Sequence, residues 1–158
     1  MPRSGKTPAP RKVADIEVSL RVTLLRPPAG VQFCLGRTDD GEDHDAKTSR
    51  GRDLSFDLSL RARGGSSGEP LRMLGEHAHG PPAKRFVPIG VGTLAGQADS
   101  CWARVIKISL TGITPKLVRD VSDSPSARLE ARVEGTDKCG GPACATVPLL
   151  DGGWRVAR

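Results

Sequence analysis

From Ile16 to Leu24 every second residue is apolar. Ile16, Val18, Leu20, Val22 and Leu24 fall on one side, and Glu17, Ser19, Arg21 and Thr23 on the other. Leu54, Phe56, Leu58, Leu60 and Ala62 repeat the pattern against Ser55, Asp57, Ser59 and Arg61. A period of two sustained this long matches the pleat of a strand with one face on a core and one in water. A helix would scatter the same apolar side chains around its axis. The chain is thereby committed to antiparallel sheet with one wetted face.

The remaining segments fit around these two. Val31, Phe33 and Leu35 alternate with Gln32 and Cys34 after the turn residues Pro27-Pro28-Ala29-Gly30, which predicts a hairpin with the first strand. Residues 36–52, with Asp39, Asp40, Glu42, Asp43 and Asp45, read as a charged loop, and Gly64 to Gly68 as a flexible link. Residues 69–85 are less regular. Leu71, Met73 and Leu74 are packing candidates there, and Gly80-Pro81-Pro82 excludes an α-helix. Phe86 to Val91 is a short apolar strand, with Pro88 pointing to an edge or a bulge. Gly92 to Ser100 is a polar loop, and Cys101 to Leu110 a strand with Trp102, Arg104, Ile106, Ile108 and Leu110 on one face. Thr114-Pro115 is an N-cap followed by proline at the first helical position, opening one short helix to Val121. Ala127, Leu129, Ala131 and Val133 alternate with Arg128, Glu130, Arg132 and Glu134. Leu149-Leu150 and Trp154-Arg155-Val156 flank Asp151-Gly152-Gly153 as a closing hairpin. The expected fold is all-β: an antiparallel β-sandwich or partly open barrel of about eight short strands with one short helix. The absence of a βαβ rhythm, of G-x-G-x-x-G and of a Walker sequence excludes Rossmann and P-loop machinery.

The 158 residues suit one domain, with 19 Gly and 13 Pro favouring turns over long helices. The net charge of +6 is concentrated at the start, where Arg3, Lys6, Arg11 and Lys12 meet no acid. Residues 1–12 therefore read as a basic disordered tail, and 13–158 as a single β domain. The tail suffices for weak, nonspecific, salt-sensitive contact with nucleic acid. The nearly neutral body lacks the basic face of a dedicated nucleic-acid binder. The longest run without Asp, Glu, Lys or Arg, Phe86 to Ala98, is too short for a membrane span of about 20 residues. The opening residues have no apolar h-region. The cytoplasm is the expected compartment, with no membrane partner. In that compartment Cys34, Cys101, Cys139 and Cys144 are expected as free thiols, the last two in a C-x4-C loop whose alternative is a loop disulfide or redox pair.

The densest polar constellation runs from 75 to 107. Its candidate ligand contacts are His77, His79, Arg85, Thr93, Gln97, Asp99, Ser100, Trp102 and Arg104. Glycines there let a ligand approach backbone amides, and the hydroxyl and amide side chains offer hydrogen bonds. His77-x-His79 would project two imidazoles from one side of a strand, as a metal pair does. Exposed loop histidines are the preferred reading, and neither metal nor cofactor is expected. Arg104 on an apolar strand face would either grip a carboxylate or phosphate or form an internal salt bridge to Asp99 or Asp57.

Within this constellation, G-P-P-x-x-R-F followed by G-T-x-A-G-Q-x-D-S-x-W-x-R-x-x-K spans Gly80 to Lys107. It resembles a family of small uncharacterised bacterial proteins, common in actinobacteria and known as a domain of unknown function. Ala127 to Val133, Ala145 to Pro148 and Gly152 to Val156 look similar to that family's C-terminal part. The resemblance covers most of residues 16–158 and implies a one-domain cytosolic protein, without an activity or a catalytic residue.

The expected function is binding of a small ligand, with an anion favoured by the arginines, at the loops around 77–104. One rival is a small cyclase, isomerase or hydrolase in the same pocket, with Asp99 or Glu76 as base and His79 as acid. Another is an interaction protein whose tail touches nucleic acid. Oligomeric state is not legible.

Overall fold

The computed structural model describes residues 13–36, 44–64, 71–94, 101–141, 144 and 153–158. The basic tail, the Gly-rich link, Gln97, Asp99, Ser100 and Leu149-Leu150 lie outside the described residues.

The described strands are β1 Val13–Leu24, β2 Val31–Leu35, β3 His44–Thr48, β4 Leu54–Gly64, β5 Leu71–Leu74, β6 Phe86–Leu94, β7 Arg104–Ser109, β8 Arg128–Val133 and β9 Trp154–Ala157. The one α-helix, α1, is Pro115–Ser122. They form two sheets, in the orders β5-β4-β1-β8-β9 and β3-β2-β6-β7. The sheets do not close into a barrel, so the sandwich is the correct form of the all-β expectation.

The period-two runs predict their faces well. Val18, Leu20, Val22 and Leu24 of β1 are buried, as are Phe56 and Leu60 of β4 and Leu129, Ala131 and Val133 of β8. The second sheet meets them with Val31, Phe33 and Leu35 of β2, Val87, Ile89 and Val91 of β6, and Ile106 and Ile108 of β7. Each fully buried side chain of this size contributes about 1.5–3 kcal/mol by leaving water. The wetted face of the larger sheet carries cross-strand ion pairs. Arg21 and Asp57 stand opposite each other on β1 and β4, with nitrogen–oxygen distances of 2.7 and 3.2 Å. Arg63 grips Asp15 at 2.7 and 2.9 Å.

α1 begins as its sequence dictates. The Thr114 hydroxyl accepts the Leu117 amide at 3.2 Å, proline occupies the first turn, and Val118 and Val121 are buried. No helix among the described residues is long and apolar enough to cross a membrane.

Several expectations are corrected. β1 and β2 are not a hairpin, because the chain crosses from one sheet to the other between them. Arg26 makes that crossing with a positive φ of 47°, its amide donating to Asp53 Oδ1 at 3.0 Å. The larger sheet is mixed, since β1 and β8 run parallel. Part of the presumed 36–52 loop is β3, an edge strand with no apolar alternation to reveal it. The strand expected from Cys101 starts at Arg104, and β6 continues to Leu94 through what read as loop. Gly80-Pro81-Pro82 does exclude an α-helix, but Pro82–Lys84 makes one 3-10 turn.

The cysteines are not free thiols. Cys34 pairs with Cys101 and Cys139 with Cys144, at Cα separations of 5.9 and 4.3 Å. Cys34 lies on the side of β2 opposite Phe33 and Leu35, where alternation leaves it for solvent. It is nevertheless fully buried, because the chain at Cys101-Trp102 folds back over that outer face. Gly90, paired with Cys34 across the β2–β6 ladder, has no side chain to obstruct this. A Cβ on Gly90 would lie 2.7 Å from the Cys101 carbonyl and 2.6 Å from the Trp102 ring.

Candidate functional site

The residues singled out in the sequence separate into three places. Pro88 explains the first. β6 is an interior strand, not an edge, yet β2 stops pairing with it at Leu35–Ile89. One step further the Gly36 amide donates to the Pro88 carbonyl at 3.3 Å. In an antiparallel pair the reciprocal bond would run from residue 88 to Gly36, but proline has no N–H to give. His77 replaces it, its Nδ1 donating to the Gly36 carbonyl at 2.5 Å. Two residues on, His79 and Phe86 exchange backbone hydrogen bonds of 2.9 and 3.0 Å. The 77–79 segment thus continues beside β6 where β2 leaves off. His79 is placed with its ring centroid 6.0 Å from that of Phe86. Its Nε2 is buried without a hydrogen-bond partner. Burial pushes its pKa down, and the neighbouring His77 and then Arg85 add to the shift.

The second place is the end of the smaller sheet where β7 begins, with Trp102 over its outer face and Arg104 on its inner one. Trp102 does not project from a strand. It lies in the turn before β7, half-buried over Gly36 and Gly90. Arg104 pairs with Val91 at the start of β7 and shares the inner, apolar face with Ile106 and Ile108, as its spacing predicts, and its Nη1 donates to the Gly141 carbonyl. That carbonyl takes the place of the salt bridge to Asp57 considered from sequence. Asp57 is held by Arg21 and faces Arg128 at 3.6 Å. Thr93 lies on β6.

The third place is a cleft of about 510 Å³ formed by three segments distant in sequence. β5 supplies Leu71, Arg72 and Met73. The 3-10 turn and its exit supply Pro82, Ala83 and Arg85. The chain from β7 to α1 supplies Leu110, Thr111, Ile113, Thr114 and Pro115. Of the described sequence candidates only Arg85 reaches it. The Arg85 guanidinium is oriented by its Nη1, which donates to the Gly80 carbonyl at 2.9 Å. Its half-buried position leaves the remaining N–H groups of the fork for a second acceptor. Arg72 projects from the edge strand as an exposed side chain. Among the described residues neither guanidinium meets a carboxylate. The lining therefore combines two cations, two threonines and an apolar surface, which is the chemistry of holding an anion with an apolar body. Sequence reading passed over Arg72 because its run Leu-Arg-Met-Leu is short and its partners are far along the chain. The one available signal was a cation inside an apolar tetrapeptide.

Among the described residues no group of three or more His, Cys, Asp or Glu side chains converges as a metal site would. The sequence from residue 18 to residue 157 matches the model of a family of unknown function, DUF5990. No curated protein and no solved structure matches.

Proposed function

The chain belongs to the DUF5990 family, whose function is unknown, and from that premise we propose that it binds a small anionic ligand with an apolar body in the cleft between β5, the Pro82–Lys84 turn and the start of α1. The observation carrying this reading is the pair Arg72 and Arg85 on a cleft otherwise walled by Leu71, Met73, Leu110 and Ile113. A carboxylate or sulfonate would take charge-assisted hydrogen bonds from the guanidiniums. Its apolar body would cover Leu71 and Ile113 and gain roughly 25 cal/mol for each Å² removed from water. The volume lies within the roughly 300–1,000 Å³ range of small-molecule sites. This keeps the ligand class read from the sequence and moves the site from the loops around 77–104 to a cleft that Arg85 shares with β5 and the start of α1.

The test is calorimetric titration of the full chain with 2-naphthoate, with naphthalene as the uncharged control. Saturable one-to-one binding of the acid is expected, falling with added salt. Arg85→Ala and Arg72→Ala should each weaken it by about tenfold to a hundredfold, as loss of a charge-assisted bond does, with unchanged melting temperatures. Absence of saturable binding, or binding indifferent to both substitutions, would overturn the proposal.

A further inference from the structure

The two disulfides differ in what must open before a reductant can reach them. Cys34 and Cys101 are both 0% exposed. The first sits inside the β2–β6 ladder and the second beneath its own turn, and the bond spans 67 residues of chain. Exposing it requires lifting the Cys101-Trp102 turn, with its indole bedded over Gly36 and Gly90, off the outer face of the smaller sheet. Cys139 and Cys144 are 3% and 9% exposed and close a loop with a sequence separation of 5. Its own hydrogen bonds are short in range, although both half-cystines join the hydrophobic core. Cys139 donates to the Thr136 carbonyl at 3.0 Å, Gly141 to Lys138 at 3.2 Å and Cys144 to Gly141 at 3.3 Å. Its flanking Lys138 and Gly140 are exposed, and nothing lies within 4 Å of where a Gly141 side chain would begin. Two long-range clamps reach it among the described residues, the Thr136 hydroxyl on the Leu25 carbonyl at 2.7 Å, before Cys139, and the Arg104 guanidinium on the Gly141 carbonyl, inside the loop. Short turns of this kind open at the low end of the range of local free energies.

We propose that Cys139–Cys144 is a reversible thiol–disulfide site, reduced by a dithiol partner while Cys34–Cys101 stays intact, and that its reduction releases the loop from Arg104. The dithiol attacks as a thiolate on Sγ of Cys144, the more exposed of the two residues. The Cys144–Cys139 bond breaks, and Cys139 leaves as a thiolate and takes up a proton. The partner's second thiol then attacks the mixed disulfide and frees Cys144. Two electrons and two protons pass to the chain, and the partner ends as a disulfide. The long-range bond is the one whose loss would loosen the whole unfolded chain, so it serves as the staple and the short one as the responsive element.

The experiment is timed reduction of the full-length native protein with dithiothreitol, quenched by alkylation and mapped by peptide mass spectrometry, with far-UV circular dichroism in parallel. Alkylation of Cys139 and Cys144 is expected to run about tenfold or more ahead of Cys34 and Cys101, since the short loop opens more readily than the turn bedded under the Trp102 indole, with the sheet signal unchanged during the fast phase. Arg104→Ala should accelerate the fast phase severalfold and leave the slow one alone. Simultaneous reduction, earlier reduction of Cys34–Cys101, or loss of sheet signal together with the first two alkylations would overturn the proposal. Mapping of the wild-type chain decides the order even if the Arg104→Ala variant fails to fold.

Discussion

His77 gives Gly36 the hydrogen bond that a neighbouring strand would normally provide, Nδ1 to carbonyl at 2.5 Å. The strand residue opposite is Pro88, which accepts from the Gly36 amide and can return nothing. A carbonyl only accepts, so Nδ1 of His77 carries the proton. One side chain thus ends the β2 ladder, satisfies a buried backbone group and anchors the segment leading to His79.

His77→Ala should leave the Gly36 carbonyl unsatisfied and lower stability by about 1–3 kcal/mol. In a chain of this size that is several degrees of melting temperature, at about 2–4 °C per kcal/mol. Pro88→Ala restores an N–H at the opposite position. The cost of His77→Ala should therefore shrink in a Pro88→Ala background, and thermal melts of the four species form the double-mutant cycle. Strict additivity would show that His77 does not substitute for the proline's missing donor.

Gly36 and Gly90 form the bare floor on which Trp102 lies. A methyl at Gly90 would meet the indole at 2.6 Å and the Cys101 carbonyl at 2.7 Å, one of them backbone that cannot swing away. At Gly36 it would meet the ring at 2.5 Å and Pro88 at 3.3 Å, both side-chain atoms. Gly90→Ala should therefore destabilise by about 1–3 kcal/mol, as overpacking does, and more than Gly36→Ala. Urea unfolding of the two variants checks the order. Trp102→Ala should make Gly90→Ala nearly harmless only if the ring, rather than the Cys101 carbonyl, is the obstacle. The backbone contact predicts that a residual cost remains.

What could be read from the sequence follows the range of the interactions involved. β1, β4 and β8 were legible because alternation is a local signal, and α1 because Thr114 and Pro115 mark its start within two residues. Pairing was not. Nothing near Leu24 says that the next strand joins the other sheet, or that Leu129 will run parallel beside Leu20. β3 escaped because an edge strand of His-Asp-Ala-Lys-Thr carries no apolar alternation to mark it. The Cys34–Cys101 pairing escaped because Cys34 occupies the polar side of an alternating strand, and only the returning Cys101 turn covers it. At the candidate site Arg85 was legible as one cation among glycines and prolines. Arg72 was not, because the cleft exists only once segments near 71, 83 and 112 meet.

The Arg21–Asp57 pair tests how much a two-toothed surface bridge contributes. Hydrogen bonding from Arg21 holds the Asp57 carboxyl below its ordinary 3.8, and the charges of Arg21, Arg128 and Lys47 add to this. A lowered carboxylate pKa stabilises the fold above the unfolded value and loses that contribution as pH falls through the folded one. The window therefore lies below about pH 4. The side chains are 34% and 61% exposed, so water and salt screen the pair. Asp57→Asn should cost no more than about 1 kcal/mol near neutrality and less in high salt. Chemical unfolding at low and high ionic strength measures it.

His79 titrates in a different window and with a different cause. Its pKa lies below the usual 6.5 chiefly because it is buried, and the charges of His77 and Arg85 disfavour a further cation beside them. A histidine with a lowered folded pKa is neutral in both states above about pH 6.5, where stability is complete. As pH falls below that, the unfolded chain binds the proton first and stability drops. The loss levels off once pH passes the folded value. This interval lies above the carboxylate window, so the two effects separate. His79→Phe would place a second ring beside Phe86, remove the buried unpartnered nitrogen and abolish the proton linkage. Urea midpoints at pH 8, 6.5 and 5 should fall with acid in the wild-type chain and stay level in the variant over that range. If the acid slope persists in His79→Phe, the titrating group is another residue and the buried imidazole contributes nothing to the pH response.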